Sequence, residues 1–334
     1  DYPADRLEIV VVDGMSEDGS AEIARAFLST APQKWRLIDN PQRTTPHAWN
    51  LGILDARGDV IVVVIAHSEL ATDYVRQAVT VLDETGADCV GGSITTLGEP
   101  TPVGRAIALA LSSTFGVGGS AFRTRTGHSG FVDTVPFGVY RREVFARFGL
   151  LDPDFVRNQD TEINFRITKN RGRIWMDGRL TSVYHPRSTL RSLWRQHLHT
   201  GASKIQILAK YGSLPALRHY IPGAFVAASV ASVSAAPIVR EPMVAMAVVG
   251  PYLIALAIAG VWVARHSPTL WPFVVIAMMT MHVSYGLGSL WGVWRYFVSP
   301  RWHRHRLPRT NSSRSERDGR RRRSSLPDST DRAR

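Results

Sequence analysis

An acidic side chain at the end of an apolar run, followed at once by glycine and serine, can hold a nucleotide. Asp13-Gly14-Met15-Ser16-Glu17-Asp18-Gly19-Ser20 stands directly after the run Leu7 to Val12. Open α/β sheets build nucleotide pockets this way: the acid ends a buried strand, and a helix opens just past the turn, here at Ser20. Asp13 could then accept a hydrogen bond from a uracil imide N–H or a ribose hydroxyl, while Asp18 reads as a turn or helix-capping residue. A second carboxylate, Asp160, lies in Asn158-Gln159-Asp160-Thr161-Glu162-Ile163-Asn164-Phe165-Arg166, directly before an apolar-periodic helix. By position alone Asp160 reads as a helix cap, and Glu162 with Arg166, four residues on, as an ion pair on one helix face.

The elements that must position these groups alternate. Short β-rich runs (Leu7 to Val12, Trp35 to Asp39, Val60 to Ile65, Asp88 to Ile94, Arg173 to Met176) are separated by amphipathic stretches. The latter are Ser20 to Phe27, Thr45 to Asp55, Asp73 to Thr85, Val103 to Ser112, Arg141 to Phe148 and Gln159 to Asn170. That order predicts an α/β fold over residues 1–190, a Rossmann-like, mainly parallel sheet with helices on both faces. The first residues, Asp1-Tyr2-Pro3, read as the end of a helix and its loop, so an N-terminal strand is expected to be missing; the sequence shows no signal-peptide pattern of basic head and short apolar core. The one cysteine, Cys89, excludes an internal disulfide and reads as a buried apolar residue.

Beyond residue 190 the composition changes. Residues 191–215 mix Trp194, Leu198, Ile205 and Leu208 with Arg191, Arg195, His197, Lys204 and Lys210, the make-up of an amphipathic helix on a membrane surface. Residues 221–297 carry three apolar stretches, Ile221 to Val239, Met243 to Ala264 and Leu270 to Phe297, which predict two to three C-terminal transmembrane helices. Pro222 and Pro237 weaken the first, and Gly286, Gly288 and Gly292 mark a site of close helix packing in the last. The formal net charge of +12 suggests nucleic acid until it is located. Residues 301–334 hold twelve arginines against four acids, two thirds of the excess, in a Ser/Arg-rich tail (298–334) expected to be disordered. No base-reading element accompanies the tail, and anionic lipids attract such segments equally well, so a nucleic-acid partner is not expected. With three spans and a cytoplasmic N-terminal domain, the tail would lie on the far side, against the bias of Lys and Arg toward the cytoplasm; the sequence leaves this open.

Several motifs occur in one order: the Asp13 to Ser20 segment, Asn40-Pro41-Gln42-Arg43, Ala48-Trp49-Asn50-Leu51-Gly52-Ile53 and Ala56-Arg57-Gly58-Asp59-Val60-Ile61. Together they resemble the family 2 glycosyltransferases of the GT-A fold, the nucleotide-diphospho-sugar transferase fold. Within that family they are most similar to the succinoglycan-type membrane glucosyltransferases usually called ExoA-like. The resemblance covers residues 1–210. It implies a donor site at Asp13, Arg43, Asn50 and His67, with the Arg43 guanidinium near the nucleotide diphosphate. It also implies that the Gln159-Asp160 pair belongs to the catalytic motif, with Asp160 the base that takes the acceptor hydroxyl proton in an inverting transfer. Asp133 and His128 would shape the acceptor side, and Trp194, Arg195 and Gln196 would touch the diphosphate or lipid headgroups.

The family's metal-binding strand end departs here. The sequence reads Ile65-Ala66-His67-Ser68-Glu69, with an apolar residue at the first acidic position. A divalent cation, Mn2+ or Mg2+, would therefore depend on His67 and Glu69, a weak set for a hard ion. The expected reaction is transfer of a hexose, glucose first among them, from a UDP-sugar to a polyprenyl-diphosphate-linked saccharide or growing polysaccharide at the cytoplasmic membrane face. The expected partners are that donor, that acceptor, membrane lipids and a polysaccharide assembly complex. The alternative is a catalytically impaired, sugar-nucleotide-binding or scaffold subunit of such a complex, for which Ile65 and the missing N-terminal strand are the argument.

Overall fold

The structure, a computed structural model, describes residues 1–66 and 68–298, the side chains as far as Tyr296. His67 and residues 299–334, which hold the Arg/Ser-rich tail, lie outside the described residues. In chain order the elements are β1 (Glu8–Asp13), α1 (Ser20–Leu28), β2 (Lys34–Asp39), α2 (Thr45–Asp55), β3 (Val60–Val62), β4 (Ser68–Leu70), α3 (Tyr74–Thr85) and β5 (Cys89–Thr96). There follow α4 (Pro102–Leu111), α5 (Thr114–Val117), α6 (Ala121–Thr124), β6 (Gly130–Phe131), β7 (Val139–Arg141), α7 (Glu143–Phe148), α8 (Gln159–Lys169) and β8 (Ile174–Tyr184). Four long helices close the described chain: α9 (Leu190–Tyr211), α10 (Ile221–Val239), α11 (Met243–Val263) and α12 (Trp271–Val298).

Local chemistry explains the boundaries. Pro102 opens α4 where no N–H is needed, and the Thr101 hydroxyl accepts from the Gly104 N–H at 3.0 Å. Thr189 caps α9 in the same way, through the Ser192 N–H at 3.2 Å. Pro222 stands in the first turn of α10 and Pro237 in its last, so neither breaks the helix midway.

Strands β1 and β2 pair in parallel, register Asp13 to Asp39, which sets the ends of both strands side by side. The larger sheet runs β3-β7-β5-β8-β4, with β6 also on β8. The expectation of a mainly parallel sheet describes β1–β2 and β5–β8; the other four pairings are antiparallel. The antiparallel partners β3, β4, β6 and β7 are two or three residues long, too short to carry an alternating pattern in sequence.

One core fills the space between the sheet and α2, α7 and α8, with Ile61, Cys89, Tyr140, Val144, Ile163 and Met176 buried in it. Burial also pushes the Cys89 thiol far above its ordinary range, so it stays an inert apolar group. A second core joins the two halves: Ile107 and Leu111 of α4 meet Leu193 of α9, Leu256 of α11, and Val274 and Met278 of α12. Helix α9 lies along α12 at backbone contact. A Cβ at Gly201 would stand 2.1 Å from the Tyr285 carbonyl oxygen, and one at Gly288 would stand 2.0 Å from that of Leu198. The glycine-marked packing of the last apolar segment is thus made largely to the amphipathic helix. The segments Leu217–Val239, Met243–Val263 and Pro268–Tyr296 are long and apolar enough to cross a membrane. Large apolar side chains on α10 and α11, Val230, Ile238, Ile254 and Ile258 among them, face outward.

Candidate active site

Asp13 ends β1, and both its carboxylate oxygens bind the turn that follows: Oδ2 accepts from the Ser16 N–H at 2.8 Å and Oδ1 from the Ser16 hydroxyl at 2.6 Å. These bonds, the hydroxyl first, hold the carboxyl below the usual carboxylate range and fix its direction. Asp18 accepts from the backbone and hydroxyl of Ser20 at 3.1 and 2.6 Å, the turn-closing role its position implies. The β2 side of the cleft approaches closely. Asn40 donates its backbone N–H to the Asp13 carbonyl at 2.7 Å, and a Cβ at Gly14 would lie 4.0 Å from the Arg43 Cα. Arg43 adopts a positive φ of 53° and keeps an exposed guanidinium, 3.4 Å from Glu17. Beside it, the buried Asn40 Oδ1 has no hydrogen-bond partner among the described residues.

Asp160 occupies the second position of α8. The residue before the helix is Asn158, in the left-handed region at φ 57°, and its side chain turns away from the helix end to donate to Ser203 Oγ (2.5 Å) and the Thr200 carbonyl (3.3 Å) of α9. Asp160 Oδ1 accepts only from Thr161, its N–H at 2.7 Å and its hydroxyl at 3.5 Å, and no described residue donates to Oδ2. Two residues on, Glu162 is fully buried and forms the expected pair with Arg166 at 2.8 Å, while also meeting Lys210 Nζ at 3.2 Å and the Tyr211 hydroxyl. Lys210 continues to Asp152 at 2.7 Å. This network binds α8 to α9 from below and leaves Asp160 on the open side.

That open side is a cavity of about 960 Å3. Trp49, Ile65 and Asp160 line one part of it; Gln196, His197, Thr200 and Lys204 of α9 line the next, on one face of the helix. It then continues between α10, α11 and α12 past Phe225, Tyr252, Trp262 and Met281. Arg123, Lys204 and Arg218 are the cations in its lining. Burial drops the Lys204 ammonium to about 8, partly offset by the charge of Asp160, and holds the Arg123 guanidinium below its ordinary range. Arg218 pairs with Asp133. His197 is pushed down to about 4 by burial and is neutral, its Nδ1–H donated to the Leu193 carbonyl at 3.1 Å.

The sequence-derived residues separate accordingly. Asp160 and Gln196 line the cavity; Asp13 and Arg43 sit together on the β1–β2 loops outside its lining. Asn50 bridges Leu151 with both ends of its amide, Nδ2 to the carbonyl at 2.8 Å and Oδ1 from the N–H at 2.9 Å. It joins α2 to the loop after α7 and has no group turned to the cavity. His128 is exposed on its loop, and Asp133 reaches the cavity only through Arg218. Trp194 and Arg195 are exposed on the face of α9 away from the lining. His67 lies outside the described residues. Glu69, largely exposed, pairs with His185 at 2.9 Å, and Ile65 offers no oxygen side chain. Among the described residues no group of three or more His, Cys, Asp or Glu is placed to hold a metal ion, so these residues alone do not fit a divalent-cation site. Arg123, Lys204 and Arg218 were not singled out from sequence as site residues; the spacing of Gln196, Thr200 and Lys204, four residues apart each time, is the signal that would have found Lys204.

Comparison with known proteins gives the following. The model of the family described as Glycosyl transferase family 2 matches residues 1–149. The succinoglycan biosynthesis protein ExoA of Rhizobium meliloti (strain 1021) is 33% identical over 290 residues, spanning 84% of this chain and 84% of that protein. A dolichyl N-acetyl-alpha-D-glucosaminyl phosphate 3-beta-D-2,3-diacetamido-2,3-dideoxy-beta-D-glucuronosyltransferase of Methanococcus voltae is 27% identical over 218 residues, 63% of this chain and 67% of that one. Among solved structures, the mannosyltransferase PcManGT from Pyrobaculum calidifontis, in complex with GDP-Man and Mn2+, superposes with a TM-score of 0.54. It is 21% identical and covers 84% of this chain and 79% of that one, a likeness of fold.

Proposed function

The chain belongs to the family 2 glycosyltransferases, enzymes of GT-A fold, and on that premise we propose that it transfers a hexose, glucose, with inversion from a UDP-sugar to a polyprenyl-diphosphate-linked saccharide. The observation that carries the reading is the position of Asp160. It lines a cavity that is also lined by residues of three helices apolar enough to lie in a bilayer, and no described residue donates to its Oδ2. A soluble donor enters from the β1–β2 side, and a lipid-linked acceptor enters from the helix side.

In the proposed step the acceptor hydroxyl attacks the anomeric carbon from the face opposite the nucleotide. The new C–O bond forms as the bond to the UDP β-phosphate oxygen breaks, and Asp160 takes the hydroxyl proton. UDP departs with the bonding electrons. Asp13, held by Ser16, recognises the uridine; Arg43, exposed and 3.4 Å from Glu17, offsets the diphosphate. No step is assigned to a metal ion, since the described residues do not assemble its ligands. Residues 1–190 form the catalytic domain at the cytoplasmic face, 191–215 the interfacial helix and 221–297 the membrane anchor, so the enzyme is a multi-pass membrane protein. It acts with other components of polysaccharide assembly.

Membranes carrying the chain are assayed with radiolabelled nucleotide sugars. Asp160→Asn is expected to lower transfer by about 10²- to 10⁴-fold, the range for loss of a positioned base, with UDP affinity retained. Unchanged transfer would remove Asp160 from the mechanism.

A further inference from the structure

The cavity lining carries charge that the proposed transfer does not use. Lys204 is 4% exposed, lines the cavity, and makes no hydrogen bond or ion pair with any described residue. Arg123, from α6, has a single long hydrogen bond, 3.5 Å to Thr96 Oγ1, and otherwise lies over the Tyr184 and Phe122 rings at 5.1 and 5.4 Å. Arg218, from the turn before α10, is already committed to Asp133. The remaining acid facing this group is Asp160, which is needed free for chemistry. Two cations from separate segments, Lys204 buried and Arg123 half-buried, therefore share one carboxylate. Burying a cation without a partner is unfavourable, and a fold keeps such an arrangement where a ligand supplies the countercharge.

The ligand's shape follows from what adjoins the cations. On the helix side the wall is apolar, formed by Phe225, Tyr252, Trp262 and Met281. The nucleotide loops, Asp13 and Arg43, lie outside this lining. A nucleotide diphosphate would leave the apolar portion empty. A diphosphate with an isoprenoid tail fills both.

We propose that Lys204 and Arg123, with Arg218 at the rim, form the binding site for the diphosphate of the lipid-linked acceptor, and that the slot between α10, α11 and α12 takes its first isoprene units. The site rests on the reading of the chain as a lipid-acceptor glycosyltransferase. It adds the place and the groups that hold the acceptor, separate from those that hold the donor. The sugar carried by that diphosphate then projects from the cations toward Asp160.

Direct binding on the full chain in nanodiscs tests this without turnover, so its outcome is independent of the Asp160 assay. The probes are farnesyl diphosphate, inorganic pyrophosphate, farnesol and UDP. Farnesyl diphosphate is expected to bind at least tenfold tighter than either pyrophosphate or farnesol. Lys204→Met and Arg123→Met, which remove the charge and leave an unbranched apolar side chain, are each expected to weaken farnesyl diphosphate by at least tenfold while UDP affinity changes less than twofold. Lys204→Arg should restore most of the loss, which a merely misfolded variant would not. If the Met variants weaken UDP and spare farnesyl diphosphate, the patch serves the donor and the proposal fails. It also fails if pyrophosphate binds as tightly as the lipid, if farnesol does, or if neither variant alters any probe.

Discussion

The two ends of the proposed active site, the proposed nucleotide end and the proposed acceptor end, are held by different means. At the nucleotide end, the contacts that fix Asp13 and Asp18 span two or three residues, β1 and β2 form a two-stranded pair of half-buried residues, and Arg43 meets Glu17 in solvent. At the acceptor end, Glu162 is fully buried, and it answers Arg166 on its own helix and Lys210 and Tyr211 on α9. Asn158 reaches Thr200 and Ser203, and Arg218 reaches Asp133 across 85 residues of sequence. Turn chemistry positions one end, and packing between distant segments positions the other. Substitutions should therefore cost stability at the acceptor end and donor recognition at the nucleotide end.

The sharpest break comes at Glu162. Glu162→Gln keeps the volume but leaves Arg166 and Lys210 without their shared carboxylate in a site closed to water. The expected loss is about 3 to 5 kcal/mol, read as a large fall in the melting temperature of the detergent-solubilised chain. A neutral result would show that α8 and α9 are held together by apolar contact alone. Next in size, Gly288→Ala places a methyl 2.0 Å from the Leu198 carbonyl oxygen. Helices α9 and α12 must separate, at a cost of about 1 to 3 kcal/mol for overpacking. Transfer should fall with it, since Lys204 and Asn158's partners ride on α9; activity retained at full stability would deny that this helix positions the site.

This difference between the ends also decides what could be read from sequence. Helix α2 was expected at Thr45 to Asp55 and runs over those residues, because Pro46 marks its first turn and a short turn follows it. The Asp13 to Ser20 segment is legible for the same reason: its Ser16 and Ser20 bonds are local, and the residue types alone imply them. By contrast, β8 was expected to stop at Met176 and continues to Tyr184. Asp177, Gly178 and Arg179 look like a loop in sequence, and the strand resumes its parallel pairing with β5 only at Thr181, after a register shift. The cations of the cavity were hidden more deeply. Arg123, Lys204 and Arg218 come from three segments, and each reads in isolation as an ordinary surface charge; the fold brings all three to the lining of one cavity.

A titration compares the two ends directly. Burial sets the Lys204 ammonium at about 8, against 10.5 for an ordinary lysine, with Asp160 and Asp133 raising it and Arg218 opposing them. His219, which feels Lys204, and the neutral His197 complete the surroundings. The charged form predominates below pH 8 and is lost above it. Farnesyl diphosphate affinity should then fall about tenfold between pH 7 and pH 9. UDP affinity, read at the other end by an Asp13 carboxylate held below its usual range, should stay level across that interval. Parallel curves for the two ligands would mean that one set of cations serves both.

The smallest effect is expected at Ser16, and it isolates the nucleotide end. Ser16→Ala removes the hydroxyl bonded to Asp13 Oδ1 at 2.6 Å but keeps the backbone N–H on Oδ2 at 2.8 Å, so the carboxylate loses one of two restraints. A hydrogen bond of this kind is worth about 1 kcal/mol, and because the turn is exposed, water replaces much of what the folded state loses. Stability should change by less than about 0.5 kcal/mol. The KM for the nucleotide sugar should rise about three- to fivefold with kcat unchanged, since a wandering carboxylate weakens binding of ground state and transition state alike. If kcat fell instead, Asp13 would be coupled to the reacting centre, and the separation between a locally built donor end and a packed acceptor end would not hold.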